Sequence, residues 1–132
     1  IIKKSPAEIE AMKEAGRISA KVLREVGALV KPGVSTLELD EFAEALIRLE
    51  GGVPAFKGSA DSPVNEQIVH GIPSSKVILK AGDIISIDTG AVVDGWVGDN
   101  AWTYAVGEIS PEKKRLLDVT EKCMWAGVEA AR

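Results

Sequence analysis

The sequence predicts an α/β chain of the α+β kind, an antiparallel sheet with helices packed on one of its faces. Three observations carry that expectation. Two capping boxes each head an amphipathic run early in the chain, two extended segments flank Asp94-Gly95, and a further capped run occupies the last stretch before Arg132.

Ser5-Pro6-Ala7-Glu8 sets a capping Ser, a Pro at the first helical position and a Glu able to reach back, so a helix starts here. Ile9, Met12, Gly16, Ser19, Leu23, Val26 and Val30 then recur at three- and four-residue spacing until Lys31-Pro32-Gly33 stops the run. The small residues in the middle of that stripe permit close packing. Ser35-Thr36-Leu37-Glu38 repeats the capping box, and Leu39, Phe42, Ala43, Leu46 and Ile47 form the next apolar face before Gly51-Gly52. Gly, Pro, Ser and Asp dominate from Gly51 to Pro63, which reads as loop.

Gln67 to His70 is a short extended candidate, and Asp83 to Val93 and Trp96 to Val106 are longer strands joined at Asp94-Gly95. Ser110-Pro111 opens a third helix with Leu116, Leu117, Thr120, Cys123 and Met124 at helical spacing. Cys123 reads there as a small buried apolar residue.

The chain has 132 residues, 45% of them hydrophobic and 27% charged, which predicts one globular domain over 1–132. A net charge of −4, with Lys and Arg scattered, offers no basic stripe for a phosphate backbone, so direct nucleic-acid binding is not expected. No apolar run is long enough to suggest membrane insertion, and no export signal is visible. The expected location is cytoplasmic, in keeping with a single cysteine that has no partner for an internal disulfide.

The hairpin carries the chemistry. If Asp94 and Gly95 are the central residues of a type I′ turn, Val93 faces Trp96, Gly90 faces Asp99 and Asp88 faces Ala101. Asp88 and Asp99 then project from one sheet face as diagonal neighbours, with Cβ atoms roughly 7 Å apart. The opposite face receives Ile85, Ile87, Ala91, Val93, Trp96, Trp102 and Tyr104, a set suited to core packing. Around the carboxylates, Ser86, Gly90, Ala101 and Thr103 are small or polar and leave room for an ion.

Two carboxylates held close repel unless a cation or a shared proton compensates. Oxygen donors suit Mn(II), Fe(II) or Co(II), and Zn(II) also accepts them, with further ligands to come from elsewhere. The plain alternative is that Asp99 leaves a turn and Asp88 accepts hydrogen bonds at a strand end; spacing alone leaves both readings open.

At these residues the chain resembles the type I methionine aminopeptidases. The resemblance rests on Val64-Asn65-Glu66-Gln67-Ile68-Val69-His70-Gly71-Ile72-Pro73, Gly82-Asp83-Ile84, Ile87-Asp88-Thr89-Gly90 and Asp94-Gly95-Trp96-Val97-Gly98-Asp99. It extends from the first helix to the last and corresponds to the first half of that family's pita-bread fold. It implies that Asp88 and Asp99 are metal ligands and that His70 hydrogen-bonds the substrate and helps stabilise the tetrahedral intermediate. One or two divalent ions would lower the proton affinity of water and polarise the carbonyl, releasing Met from the N-terminus of a peptide or nascent protein. Asn65 would position backbone or a monovalent ion, beside the simpler reading of a turn residue at a strand entrance.

Two departures from the family pattern stand out. Its remaining ligands, one His and two Glu, lie in a second half for which this sequence carries no matching motif. Its longer pocket segment, with aromatic residues and a Cys, is shortened here to Phe56-Lys57-Gly58-Ser59-Ala60-Asp61-Ser62-Pro63-Val64. The start at Ile1 and the end at Arg132 inside a helical pattern lead us to expect a piece of a longer protein.

Other functions fit parts of the pattern. Asp88-Thr89-Gly90-Ala91 is also similar to the active-site loop of dimeric aspartic proteases, although fifty largely helical opening residues fit that β-rich family poorly. A non-catalytic binding module of the aminopeptidase fold, a chain completed by a complementary half, and a homodimer are the remaining readings. A lone His is more often a solvent-facing residue than a catalyst, and Trp96 and Trp102 are assigned to the core rather than to a substrate stack.

Overall fold

The computed structural model describes residues 2–56 and 60–131. Along the chain run α1 (Pro6–Gly27), α2 (Thr36–Leu49), β1 (Val53–Pro54), β2 (Ala60–Asp61), β3 (Ile84–Val93), β4 (Trp96–Ala105) and α3 (Pro111–Ala130). Both capping boxes form: the Ser5 and Ser35 hydroxyls accept from the Glu8 and Glu38 amides while the two Glu carboxylates accept from the cap amides. Ser110 Oγ accepts from the Lys113 amide at the head of α3.

The first helix stops at Gly27, short of the expected Lys31-Pro32-Gly33. Beyond Gly27 the chain tightens into turns, with the Leu29 and Val30 amides donating to the Val26 and Gly27 carbonyls at 2.9 and 3.2 Å, and Tyr104 packs against this end. Its ring occupies the place of a Gly27 side chain, with a Cβ there falling 2.2 Å from the ring, and its hydroxyl donates to the Leu23 carbonyl at 2.8 Å.

β3 is the axis of the sheet. β4 follows one edge over its full length, in the register Val93↔Trp96, Gly90↔Asp99 and Asp88↔Ala101 that the turn residues predict. Asp94 and Gly95 carry the positive φ angles of 49° and 83° that a type I′ turn needs. The other edge is shared end to end: β1 pairs Val53 with Val92, β2 pairs Asp61 with Asp88, and Val64 bridges to Ile85.

The strand expected over Gln67–His70 does not form. Asn65, at φ 54°, turns the chain away from β3, and Ile68 and Val69 are left 86% and 61% exposed. Without a neighbour to complete its backbone hydrogen bonds an extended segment has no ladder to join.

One face of the sheet is core. Ile85, Ile87 and Ala91 are fully buried against Ile18, Val22 and Val26 of α1 and Leu39, Ala43 and Ile47 of α2. Each buried aliphatic side chain contributes about 1.5–3 kcal/mol relative to exposure. Gly98 lets α1 lie on β4 backbone to backbone, since a Cβ there would meet the Ala15 carbonyl oxygen at 2.1 Å. Ser19 Oγ, buried in the same contact, is satisfied by the Thr89 carbonyl at 2.9 Å.

The buried stripe of α1 is Ala15, Ile18, Ser19, Val22, Leu23 and Val26, displaced from the predicted one. Ile9 and Met12 lie before the helix meets β4 and stay partly exposed, as does Phe42 of α2. The third helix departs further: α3 buries no residue, and Cys123, predicted to be buried, is exposed. Helices thus pack on one face as far as α1 and α2 are concerned, while residues of α3 face the other side of the sheet across a cavity. Among the described residues no helix is long and apolar enough to cross a membrane.

Candidate functional site

The β3–β4 register puts Asp88 and Asp99 on the face opposite the core, as diagonal neighbours. The short β2 adds a third acid. Asp61 is the direct partner of Asp88 across the other edge of β3, so Asp61, Asp88 and Asp99 follow one another across a single surface. Asp61 was not singled out from the sequence, because it sits in a loop with no period to read and its place depends on a two-residue strand.

Asp88 is the electrostatic centre of the group. Burial raises its proton affinity above the ordinary value of 3.8, and the charge of Asp99, a hydrogen bond with Asp99 and the charge of Asp61 act in the same direction. Its Oδ1 is buried without a hydrogen-bond partner. A carboxylate oxygen in that state is a strong acceptor with nothing to accept from, the condition a bound cation relieves. Among the described residues no set of three or more His, Cys, Asp or Glu is arranged to hold a metal ion. The donors at hand are two carboxylates, and a hard or borderline divalent ion matches them chemically.

A cavity of about 460 Å³ opens over this face. Its floor includes Asp61, Ser86, Asp88 and Thr103; Ile68 and Val69 close one side, and Leu117 and Met124 of α3 stand opposite. The Ser86 and Thr103 hydroxyls hydrogen-bond each other at 2.8 Å, leaving the floor beside Asp88 small and satisfied. Trp102, assigned to the core from the sequence, does share the face of its cross-strand partner Ile87, but it is 37% exposed there. It sits on β4, which among the described residues pairs with no strand but β3, so the alternation that marked it as inward does not bury it.

His70 stands beside the acids rather than between Asp88 and Asp99. Its backbone has φ 60°, its amide donates to Asp61 Oδ2, and its Nδ1 is 3.7 Å from the same oxygen. Asn65 is tied into the framework: Nδ2 donates to Asp83 at 2.8 Å, while Oδ1 accepts from the Ile84 amide and from Lys113 Nζ at 2.9 Å. Lys113 also donates to the Gly82 carbonyl at 2.6 Å, so an ammonium of this chain already serves that oxygen cluster. The turn-and-strand-entrance reading of Asn65 thus has direct partners. Lys57, Gly58 and Ser59 of the shortened segment lie outside the described residues.

The model of "Metallopeptidase family M24" matches residues 10–132. The chain belongs to metallopeptidase family M24. Among its M24 relatives, methionine aminopeptidase 1 of Bacillus subtilis is 51% identical across the whole of this chain, and the methionine aminopeptidase of Clostridium acetobutylicum is 44% identical over 99% of it. In each case the alignment covers 55% of the relative, so the chain spans about half the length of the curated relatives it matches. The crystal structure of the Rickettsia prowazekii methionine aminopeptidase superposes with a TM-score of 0.89 at 33% identity, over 95% of this chain and 53% of that one. The Thermotoga maritima methionine aminopeptidase gives 0.88 at 40% identity, over 92% and 52%. The M24 fold is thus the pita-bread architecture that the hairpin motifs implied, with the antiparallel sheet and its helices in place.

Proposed function

We propose that the chain supplies part of a methionine aminopeptidase active site, working on the N-terminal Met of peptides and nascent proteins in the cytoplasm. The observation that carries the reading is the buried, unpartnered Asp88 oxygen beside Asp99, on the face of an M24 sheet that looks into a cavity. Asp88 and Asp99 would hold one or two divalent ions drawn from Co, Mn, Fe and Zn. A bound ion of this kind polarises the scissile carbonyl and lowers the proton affinity of water. Ile68, Val69, Leu117 and Met124 give the cavity an apolar wall for an aliphatic first side chain, and the acids attract its ammonium group. His70 would contact the substrate at the scissile carbonyl.

Two carboxylates leave most positions around an ion open, so a complementary half that contributes further ligands belongs to the same proposal. The unburied apolar residues of α3, among them Leu116, Trp125 and Val128, favour a chain that packs against further protein. A homodimer is the second arrangement, and elution as a monomer at every concentration in gel filtration would remove it. The aspartic protease reading is left without support by the helical layer and by the family match.

Calorimetric titration with Mn(II) tests the site directly. Asp99→Asn and Asp88→Asn should each lower affinity at least about tenfold, the scale on which even outer-shell losses act. Equal Mn(II) binding by wild type and both variants would sink the metal assignment. Release of Met from a Met-Ala peptide, with and without the complementary half of an M24 relative, tests the chemistry.

A further inference from the structure

We propose that Asp61 is a positioning residue for His70, fixing the histidine beside the Asp88–Asp99 face; this rests on the reading of that face given above. Asp61 is itself fixed. It belongs to β2, pairs directly with Asp88, and is 25% exposed at its side chain. Its carboxylate accepts from the His70 amide, and its Oδ2 stands 3.7 Å from His70 Nδ1. One acid therefore holds the backbone of the histidine by a hydrogen bond and stands close to its ring.

The need for such a holder is visible in His70. Its φ of 60° lies in the left-handed region, which a side chain with a Cβ adopts only where surrounding contacts demand it. Its ring is 90% exposed, so core packing does not orient it. The next residue completes the clamp. The Ser62 amide donates to the Gly71 carbonyl at 2.9 Å, and a Cβ on Gly71 would fall 2.4 Å from the backbone of Pro63. Residues 61–63 and 70–71 cross at contact distance, and the crossing places the histidine at the end of the row of acids.

The same arrangement gives Asp61 a second effect. Its negative charge lies beside Asp88 and adds to the field that a cation on this face would feel. An acceptor without charge at position 61 would keep the clamp and weaken that field. Asp61→Asn and Asp61→Ala therefore separate the two contributions.

His70 is the single histidine of the chain, so its NMR signals need no competing assignment. In the full chain, Asp61→Ala should speed exchange of the His70 amide by about tenfold or more, the scale of a hydrogen bond to a charged group, while Asp61→Asn should restore much of the protection. Substoichiometric Mn(II) should broaden the Asp88 and Asp99 amides together with the His70 ring in the wild type. In Asp61→Ala the ring should broaden less while the two amides still broaden. Unchanged amide exchange in Asp61→Ala, or equal ring broadening in both proteins, would overturn the positioning role. If Mn(II) broadens neither Asp amide, the metal reading fails, and amide exchange still decides whether Asp61 holds the histidine. Should Asp61→Ala lose its folded spectrum, Asp61→Asn against Asp61→Ser carries the same comparison.

Discussion

The two faces of the sheet obey different rules although they alternate along the same strands. Under α1 and α2, Ile85, Ile87 and Ala91 are sealed from solvent, and the buried hydroxyl of Ser19 finds its acceptor at Thr89. On the other face Asp88 carries a buried oxygen with no partner, three acids stand in a row, and α3 covers the space without burying a residue. The difference shows where stability is made and where it is given up. Residues one step apart on β3 separate a satisfied core from a surface left electrostatically incomplete.

Substitutions on the two sides should diverge most for apolar residues. Ile87→Ala opens a cavity in the sealed face and should lower stability by about 2–5 kcal/mol in urea unfolding, whereas Leu116→Ala on the exposed helix should stay within about 0.5 kcal/mol. A comparable loss at Leu116 would mean that α3 packs as tightly as α1. Caps sharpen the contrast at smaller scale. Removing the Ser35 hydroxyl should cost about 1 kcal/mol of global stability, because α2 is part of the core. Ser110→Ala should instead fray the start of α3, seen as faster amide exchange there with an unchanged urea midpoint.

The acidic face should respond in the opposite sense. Asp88→Asn removes a charge that burial and two neighbouring acids disfavour, so the variant should unfold at higher urea than wild type when divalent ions are absent. Added Mn(II) should stabilise the wild type more than the variant and narrow or reverse that order. A wild type already more stable than the variant without metal would mean that Asp88 is not the strained centre of the face.

How much of this was legible depended on whether a feature is local. The capping boxes at Ser5 and Ser35 and the Asp94-Gly95 turn are short-range signals, and strand alternation carries the turn's register out to Asp88 and Asp99. The motif through His70-Gly71-Ile72-Pro73 pointed to the family from the residues alone. What escaped depends on contacts between distant segments. Asp61 reaches Asp88 only because β2 completes an edge left open by β1, and α1 ends where Tyr104 meets it. Trp102 matched an inward alternation that burial did not fully follow, because among the described residues β4 has no strand outside it.

The smallest expected effect concerns the entrance to the sheet, where Asp83 immediately precedes β3. Hydrogen bonding from Asn65 first, with lesser help from the Lys80 amide and the charges of Lys113 and Lys80, holds its carboxyl below the ordinary 3.8 against a burial penalty that only the Asn65 bond exceeds. Because the folded value is depressed, the group's contribution to stability is present above the unfolded value and is lost as pH falls through the folded one. Asp83→Asn should therefore be less stable than wild type near neutral pH, and the gap should close below about pH 4, the ordinary carboxylate range. Asn65→Ala should reproduce part of that loss, since it deletes the first of the causes, and should also remove one of the two bonds that tie Lys113, at the head of α3, to the strand entrance. Urea midpoints of the three proteins across that pH range test the assignment. A gap that persists unchanged in acid would show that Asn65 supports the strand entrance through backbone geometry, by its bond to the Ile84 amide, and not through the charge of Asp83.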